Sequence, residues 1–380
     1  MIPYTKIKQS VLYNNTQNAS ERTNEPQMKK TYIAAAAGMT LTLFLMGLTA
    51  CTSQSGSYEN PTDSVTEENS TKTTASDNDN KQTNETTVSD KDSVSESDTE
   101  SVDTDQAESV TDVLSESISV KFSSYELNEN WQDKLDTTVT FNGDSIDVDG
   151  SGTDINGSVI TITEKGTYAF SGSLTDGQII VEVPDDDKVR LIFNGIDLNC
   201  EDSCPVFVKS ADRCVIVLAE GSENTVTDGA FYTKEYADGS TPNACIYSKP
   251  DLTITGSGSL TVNGAYNNGI GSKDDIKILN ATINITAIKN AIKGNDSVTI
   301  DQAILECKAN NDGIKSDREG STDKGFIYIK SGEINITAGD DALQCFTALY
   351  IKSPAHVTTV CDGQQINCDN FVSVEDGCLN

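Results

Sequence analysis

A repeat between residues 243 and 351 constrains the fold of this chain more than any other feature of its sequence. The first two steps of the repeat are 22 residues long, and the third is 29 because an insertion of seven residues falls in the polar stretch 317–324. A unit of this length cannot bury its own apolar face and must stack on its neighbours. The period is that of one turn of a parallel β-helix. The repeated triplets are Asn268-Gly269-Ile270, Asn290-Ala291-Ile292, Asp312-Gly313-Ile314 and Asp341-Ala342-Leu343.

Strands of four to six residues are predicted wherever short runs alternate apolar and polar residues between Gly, Asn and Asp. Two denser apolar runs, 189–193 and 214–218, predict strands that are buried on both faces. Residues 119–380 show no helical periodicity and are numerous enough for one continuous core. This domain is therefore predicted to be all-β, a single-stranded parallel β-helix that begins near residue 139. The other predicted strands are 145–148, 159–163, 167–170, 178–183, 249–254, 274–278, 297–300 and 326–329.

Residues 1–51 end in the pattern of a bacterial lipoprotein signal. Met28 and two lysines precede an apolar run from Ile33 to Leu48, and Thr49 and Ala50 lead to Cys51. Small residues before the cysteine suit a signal peptidase, so we predict that the Cys51 thiol carries lipid on the extracellular face of a bacterial membrane. The alternative is a transmembrane helix, for which the run is short. Residues 1–27 carry no such pattern, so Met28 is a second candidate for the start.

Residues 52–118 have the composition of a disordered linker. Ser, Thr, Asp and Glu dominate the stretch, and Tyr58 is its only aromatic residue. Such a segment has too little apolar area to offset the entropy lost on ordering. We expect an extended tether that lifts the domain away from the membrane.

Charge and cysteine usage exclude several classes of function. The net charge of −32 makes nucleic acid and anionic membrane surfaces unsuitable partners, so membrane contact is expected through the lipid alone. His356 is the only histidine and no Cys-x-x-Cys pair occurs, which leaves zinc sites and Cys–His catalysis without ligands or a base. Most cysteines other than Cys51 are expected to be buried and reduced, with a Cys200–Cys204 bridge as an alternative.

The repeat copies one amide or acid position up the stack, and the copies become acidic towards the C-terminus. Stacked carboxylates repel one another unless a cation lies between them, and Ca²⁺ prefers such oxygen ligands. We predict one calcium site in the ladder and a second in turns that lie one coil apart. The alternatives are that Asx residues cap corners and that the turn acids are exposed charges. The first candidate set is Asp312, Asp317, Asp340 and Asp341, and the second is Asp274, Asp275 and Asp296.

Lys293 and Lys315 also lie one coil apart, directly after buried-type isoleucines. Beside calcium-binding carboxylates, a lysine could remove the C5 proton of a uronic acid, the base step of β-elimination. The alternatives are that both lysines neutralise the acids or contact a uronate without chemistry. No second catalytic group is visible, so we expect binding and not catalysis.

Tyr232 and Tyr236 lie in a polar stretch, 228–242, that is too long for a simple corner. A sugar ring stacks well on an aromatic face. We therefore predict that these two tyrosines contact sugar.

Several of these segments together resemble a known family. The segments 166–172, 176–181 and 258–262, followed by the units at 268–275 and 311–317, are similar to the exported carbohydrate-binding domain family, which is related to the pectate lyases. The resemblance covers about Val139 to Ile351 and implies a right-handed parallel β-helix. It also implies calcium sites on the coils and binding to plant cell-wall polysaccharides, including acidic pectic chains and cellulose. The chain departs from the pattern at its end, where His356 falls at a predicted apolar position and the C-terminus looks truncated.

The function expected from the sequence is calcium-dependent binding of polysaccharide by a surface-anchored monomer. One alternative is a calcium-dependent polysaccharide lyase that acts on uronic-acid polymers. The other is a structural or adhesive surface lipoprotein that does not bind sugar.

Overall fold

The computed structural model describes residues 110–128 and 130–380. The predicted signal at 1–51, with Cys51, and residues 52–109 of the predicted linker lie outside this part of the chain. Within the described part, no helix is long and apolar enough to cross a membrane.

The described residues are nearly all in strands and turns, apart from a short helix α1 (Ser124–Leu127) and a 3-10 turn (Gln132–Lys134). In chain order the strands are β1 (Val110–Val113), β2 (Ser119–Phe122), β3 (Thr137–Gly143), β4 (Ile146–Asp149), β5 (Thr153–Asn156), β6 (Val159–Ile162), β7 (Gly166–Leu174), β8 (Gln178–Glu182), β9 (Lys188–Cys200), β10 (Val206–Ser210), β11 (Arg213–Leu218), β12 (Glu223–Asp228), β13 (Ala244–Ser248), β14 (Asp251–Thr255), β15 (Ser259–Gly264), β16 (Asn268–Ser272), β17 (Asp275–Leu279), β18 (Thr282–Ala287), β19 (Ile292–Gly294), β20 (Ser297–Asp301), β21 (Ala303–Ala309), β22 (Ile314–Ser316), β23 (Phe326–Ile329), β24 (Gly332–Ala338), β25 (Leu343–Cys345), β26 (Ala348–Ile351), β27 (His356–Cys361), β28 (Ile366–Cys368) and β29 (Phe371–Val374). The prediction of an all-β domain is confirmed, and each predicted strand coincides with an observed one to within a few residues.

From β10 onward, each strand pairs in parallel with the strand three places later in the chain. One coil therefore contains three strands, and the coils stack into three parallel sheets. Sheet 1 contains β10, β13, β16, β19, β22, β25 and β28, and it continues at its other end through β8, β6 and β5. Sheet 2 contains β11, β14, β17, β20, β23, β26 and β29, and sheet 3 contains β12, β15, β18, β21, β24 and β27.

The core runs along the inside of the coils. Ile283, Leu305 and Ile334 lie opposite one another on successive strands of sheet 3, and all are fully buried. Cys307 occupies the next inward position, and burial raises the pKa of its thiol to about 12. The nine cysteines of the described residues are all free, so Cys200 and Cys204 form no bridge here.

The prediction that His356 occupies an inward, apolar position of the coil after Ile351 is wrong. His356 lies opposite Glu333 and faces outward, whereas Val357 lies opposite Ile334 and is fully buried. The inward position is thus one residue later than the sequence suggested, and β27 to β29 complete another coil.

The segment 110–127, which we call the strap, lies across the outer face of sheet 2. Its strands β1 and β2 form an antiparallel hairpin. Ile118, Val120 and Phe122 are buried against Phe326 and other apolar residues of β17, β23 and β26. Residues 110–118 have the composition of the predicted linker, yet they belong to the strap and pack on sheet 2.

Candidate functional site

The repeated Asn and Asp positions form a continuous hydrogen-bonded ladder at the corner before sheet 1. The side-chain oxygen of Asn268 accepts the backbone N–H of Asn290 at 3.3 Å, and Asn290 accepts that of Asp312 at 3.2 Å. Asp312 Oδ1 in turn accepts the backbone N–H of Asp341 at 3.4 Å. All four side chains are buried. Corner capping is therefore a role that the Asn and the Asp members share.

Three of the predicted calcium ligands converge at the acidic end of this ladder. Asp312, Asp340 and Asp341 each offer a carboxylate oxygen, and these atoms lie within 4.8 Å of one another. Asp340 is exposed, whereas the other two are buried. Asp341 already accepts the Gln364 N–H at 2.8 Å and the Asn367 amide at 2.6 Å. Any cation here would share these carboxylates with existing donors.

Asp317, the fourth member of that predicted set, lies beside the lysines. Its Oδ2 atom is 2.9 Å from Lys293 Nζ and 3.7 Å from Lys315 Nζ. Lys315 Nζ also contacts Asp312 Oδ2 at 3.1 Å and donates to Gln344. These contacts match the alternative in which the lysines neutralise the acids, because Lys293 pairs with Asp317 of the next coil and Lys315 lies between Asp312 and Asp317 of its own coil.

The second predicted calcium set differs from the observed cluster by one residue: Asp251, which was not predicted, takes the place of Asp296. Asp274 and Asp275 converge with Asp251, again with carboxylate oxygens within 4.8 Å. Burial, a hydrogen bond shared with Asp296 and the neighbouring acids raise the pKa of Asp274 to about 7. Burial and the charge of Asp275 raise the pKa of Asp251 to about 6, partly opposed by Arg213. The repulsion inside this cluster is the condition that a bound cation relieves.

Asp296 lies at the edge of that cluster and is largely neutralised. It contacts Lys324, and its Oδ1 atom is 3.5 Å from Arg318. Burial acts to raise its pKa, but the hydrogen bond from Asp274 and the two cations lower it overall.

The hydroxyl groups of Tyr232 and Tyr236 both form hydrogen bonds within the protein. Tyr232 donates to Asp228 Oδ2 at 2.5 Å, and Tyr236 Oη is 2.7 Å from Gln178 Nε2. The ring of Tyr236 packs edge-on against Phe207 of sheet 1, with centroids 5.0 Å apart. Both tyrosines therefore fasten the 228–242 loop onto the outer face of β10 and β13.

The aromatic surface that this loop presents belongs to other residues. The side chain of Phe231 is 76% exposed and that of Tyr266 is 38% exposed. Tyr266 stacks on Tyr232 with ring centroids 4.1 Å apart and remains partly exposed to solvent. A signal for Tyr266 existed in the sequence, because it directly precedes the Asn267-Asn268 corner.

Beyond the loop, the outer face of sheet 1 carries one polar side chain from each coil. Lys293 lies opposite Lys315, which lies opposite Gln344, which lies opposite Asn367. Gly271 precedes them and lies next to Tyr247. The four polar side chains, here called the outer ladder, are all partly exposed. Neighbouring strands place them about 4.8 Å apart.

Comparison with known proteins gives three matches. The model of the family described as carbohydrate-binding domain-containing protein matches residues 156–377. A carbohydrate-binding domain-containing protein of Acetivibrio thermocellus is 40% identical over 246 residues, 64% of this chain and 86% of that protein. A polysaccharide lyase-like protein from C. thermocellum, solved as a gadolinium derivative, is similar with a TM-score of 0.63 and 36% identity, over 64% of this chain and 99% of that chain.

Proposed function

Because the chain belongs to the family of carbohydrate-binding domain-containing proteins, we propose that it binds an acidic polysaccharide along the outer ladder of sheet 1. The observation that carries this proposal is the register of Lys293, Lys315, Gln344 and Asn367 on four successive coils. A regular row of partly exposed donors suits a ligand that is itself a repeating chain. Of the two expected classes, pectic chains and cellulose, the acidic pectic chains are the ones that this proposal selects.

The two lysines favour an anionic glycan over a neutral one. Each ammonium group has three donors, and the carboxylates that hold Lys293 and Lys315 leave part of each side chain exposed to solvent. A uronate carboxylate can join these mixed clusters as a further acceptor. Phe231 and Tyr266 add exposed rings on the 228–242 loop and at the corner before β16, on which a sugar can stack.

We further propose that Ca²⁺ binds at the two acid clusters. Three converging carboxylates match the preference of Ca²⁺ for several oxygen ligands. The cluster of Asp251, Asp274 and Asp275 is the stronger candidate, because burial and then the neighbouring acids raise the pKa values of Asp251 and Asp274, and a cation would favour their charged forms. The gadolinium derivative of the similar structure is consistent with this, since lanthanide ions also prefer oxygen ligands.

The proposed setting follows the sequence predictions. We propose that the stacked coils form a right-handed parallel β-helix and that Cys51 anchors the monomer by lipid to the extracellular face of the bacterial membrane. The three-strand coils and the similarity to a polysaccharide lyase-like protein support the first part. The Leu-Thr-Ala-Cys sequence at 48–51 supports the second.

Binding of the purified chain to immobilised polygalacturonate, cellulose and an unrelated neutral glycan tests the proposal. Replacing both lysines, Lys293→Gln with Lys315→Gln, should weaken polygalacturonate binding about tenfold or more, because one charge-assisted hydrogen bond contributes about 1.5–3 kcal/mol. Lys308→Gln is the matched control, since Lys308 is exposed on sheet 3. Equal loss in the control would indicate unspecific charge attraction. No signal with any glycan would favour the structural or adhesive alternative.

A further inference from the structure

The last two coils place two thiols against each other. Cys345 ends β25 and Cys368 ends β28, and the two residues lie directly opposite in parallel register. The Cys368 thiol donates to the backbone carbonyl of Phe371 at 3.2 Å. Cys345 is buried, whereas Cys368 is partly exposed. In the described strand pairings, no other cysteine lies opposite a cysteine.

We propose that Cys345 and Cys368 form a disulfide that fastens the terminal coil to the coil before it. Neighbouring strands separate opposite Cα atoms by about 4.8 Å, which lies inside the range of about 4.4–6.8 Å that disulfides span. Both side chains point to the same side of sheet 1, towards the core. The bond therefore requires only a small local adjustment.

The preceding coils show that this corner position accepts a small side chain. Ser316 lies opposite Cys345, and its hydroxyl donates to the backbone carbonyl of Asn295 at 3.4 Å. Ser272, further back in sheet 1, donates in the same way to the Pro250 carbonyl at 3.0 Å. Serine alone fits this corner. The geometry of the corner therefore does not explain why the last two coils have cysteines opposite each other.

The two thiols also differ in pKa and in exposure, and these properties decide which thiol reacts first in disulfide exchange. Interaction with the neighbouring Cys345 thiol, together with the backbone N–H groups of Asn370 and Phe371, lowers the pKa of Cys368 to about 7 despite its partial burial. Interaction with Cys368 and burial raise the pKa of Cys345. The thiolate is the attacking species, so the accessible Cys368 reacts first.

The oxidant is an external disulfide such as oxidised glutathione. The Cys368 thiolate attacks one of its sulfurs, which forms a mixed disulfide and releases one glutathione thiolate. Cys345 then loses its proton, and its sulfur attacks the Cys368 sulfur, which releases the second glutathione. Two electrons pass from the protein thiols to glutathione, and the two thiol protons end on the two released glutathiones.

The terminal coil is the place where such a bond has the most effect. Within the described residues, β28 pairs only with β25, and β29 pairs only with β26. Phe371 and Val372 are 45% and 39% exposed. An end coil of a stacked repeat lacks a neighbour on one side and opens first. A covalent link to β25 holds it closed.

The test equilibrates the full chain with oxidised and reduced glutathione, alkylates the remaining thiols and identifies linked peptides by mass spectrometry. We expect a Cys345–Cys368 linkage, and amide exchange in 366–374 at least tenfold slower in the oxidised protein than in the reduced protein. Cys361→Ser, which removes the other partly exposed thiol of the described residues, should leave the linkage intact. Cys345→Ser, a change to the residue that Ser316 already shows at this corner, should leave Cys368 as a glutathione mixed disulfide.

Alkylation of both thiols after equilibration would overturn the proposal. So would a Cys361–Cys368 linkage in place of the expected one, or a linkage that forms without slowing exchange in the terminal coil.

Discussion

Removing the carboxylate of Glu126 should detach the strap from sheet 2 while the coils stay folded. Glu126 is 1% exposed and meets side chains from three successive coils. Its Oε1 atom is 2.7 Å from Lys277 Nζ and 3.0 Å from Thr253 Oγ1, and its Oε2 atom is 3.0 Å from an Arg213 nitrogen. Ser123 donates both its backbone N–H and its hydroxyl to Oε2 at 2.7 Å. Glu126 thus joins the strap to β11, β14 and β17 at once.

The expected magnitude follows from the burial of these charges. Glu126→Ala leaves Lys277 and Arg213 without their shared partner, and breaking a buried pair in this way costs about 3–5 kcal/mol. Burial of the three apolar side chains Ile118, Val120 and Phe122 contributes about 1.5–3 kcal/mol each to the attachment of the strap. The free energy lost in Glu126→Ala is therefore comparable with a large part of the free energy that holds the strap on sheet 2. A change of about 3 kcal/mol corresponds to roughly a hundredfold change in the opening equilibrium.

Hydrogen exchange of the backbone amides is the suitable measurement, because it resolves local opening from global unfolding. Amides of Val120 and Phe122 should exchange about a hundredfold faster in Glu126→Ala, while those of β17 and β20 stay slow. Glu116→Ala is the control, since Glu116 is exposed in the same hairpin. A change below about threefold at the strap, or equal acceleration in the coils, would refute the reasoning.

The same carboxylate sets a pH dependence of the strap. Burial acts to raise the pKa of Glu126, but the combined effect of Lys277, Ser123 and Arg213 is larger and in the opposite direction. The pKa of Glu126 is therefore lowered from 4.5. A carboxyl group with a lowered folded-state pKa stabilises fully above its unfolded value and loses that contribution as the pH falls through the folded value. Opening of the strap, relative to an unstructured reference peptide, should therefore increase below about pH 4.5, and Glu126→Gln should abolish this increase.

Three further predictions test calcium binding, the absence of lyase activity and the lipid anchor. Millimolar Ca²⁺ over a site of about 10 μM affinity should add roughly 2.7 kcal/mol to the free energy of unfolding, with Asp312→Asn and Asp274→Asn each blunting the rise in melting temperature; a midpoint indifferent to both Ca²⁺ and chelator would remove the calcium proposal. Polygalacturonate with Ca²⁺ should release no unsaturated uronides, because the Nζ atoms of Lys293 and Lys315 donate to carboxylates and a general base needs a free lone pair; release that is lost in Lys315→Ala would establish the lyase alternative. Cys51→Ser should move the protein from the membrane fraction to the soluble fraction, and unchanged retention would favour a spanning helix.

The coil register was predictable because inward positions recur with the sequence period. Ile283, Leu305 and Ile334 are spaced as the triplets are, insertion included, and they do lie opposite one another. The strap was not predictable in the same way. Its local composition is that of the linker, and its burial depends on Phe326 and Tyr328, which face outward from sheet 2. Nothing in a period shows that an outward face will be covered by a segment two hundred residues earlier.

The acid clusters were predictable only in part, for a similar reason. Asp251 lies outside the repeated triplets, although it precedes the apolar start of β14 as Asp275 precedes that of β17. Comparing strand starts as well as corner triplets would have found it. The clustering of Asp312, Asp340 and Asp341 followed directly from the period, because two of them occupy the same corner on neighbouring coils.

Whether a ladder acid is structural or metal-binding depends on its second oxygen. One side-chain oxygen of each ladder member accepts the N–H of the next coil, and Asn serves this role as well as Asp does. The second oxygen of Asp312 contacts Lys315 at 3.1 Å and the Asn311 amide at 3.0 Å. Asp312→Asn should therefore keep the ladder bond and most of the stability without Ca²⁺. It removes the negative charge that Lys315 balances and that a cation would need, so loss of the calcium response with little loss of basal stability would separate the two roles.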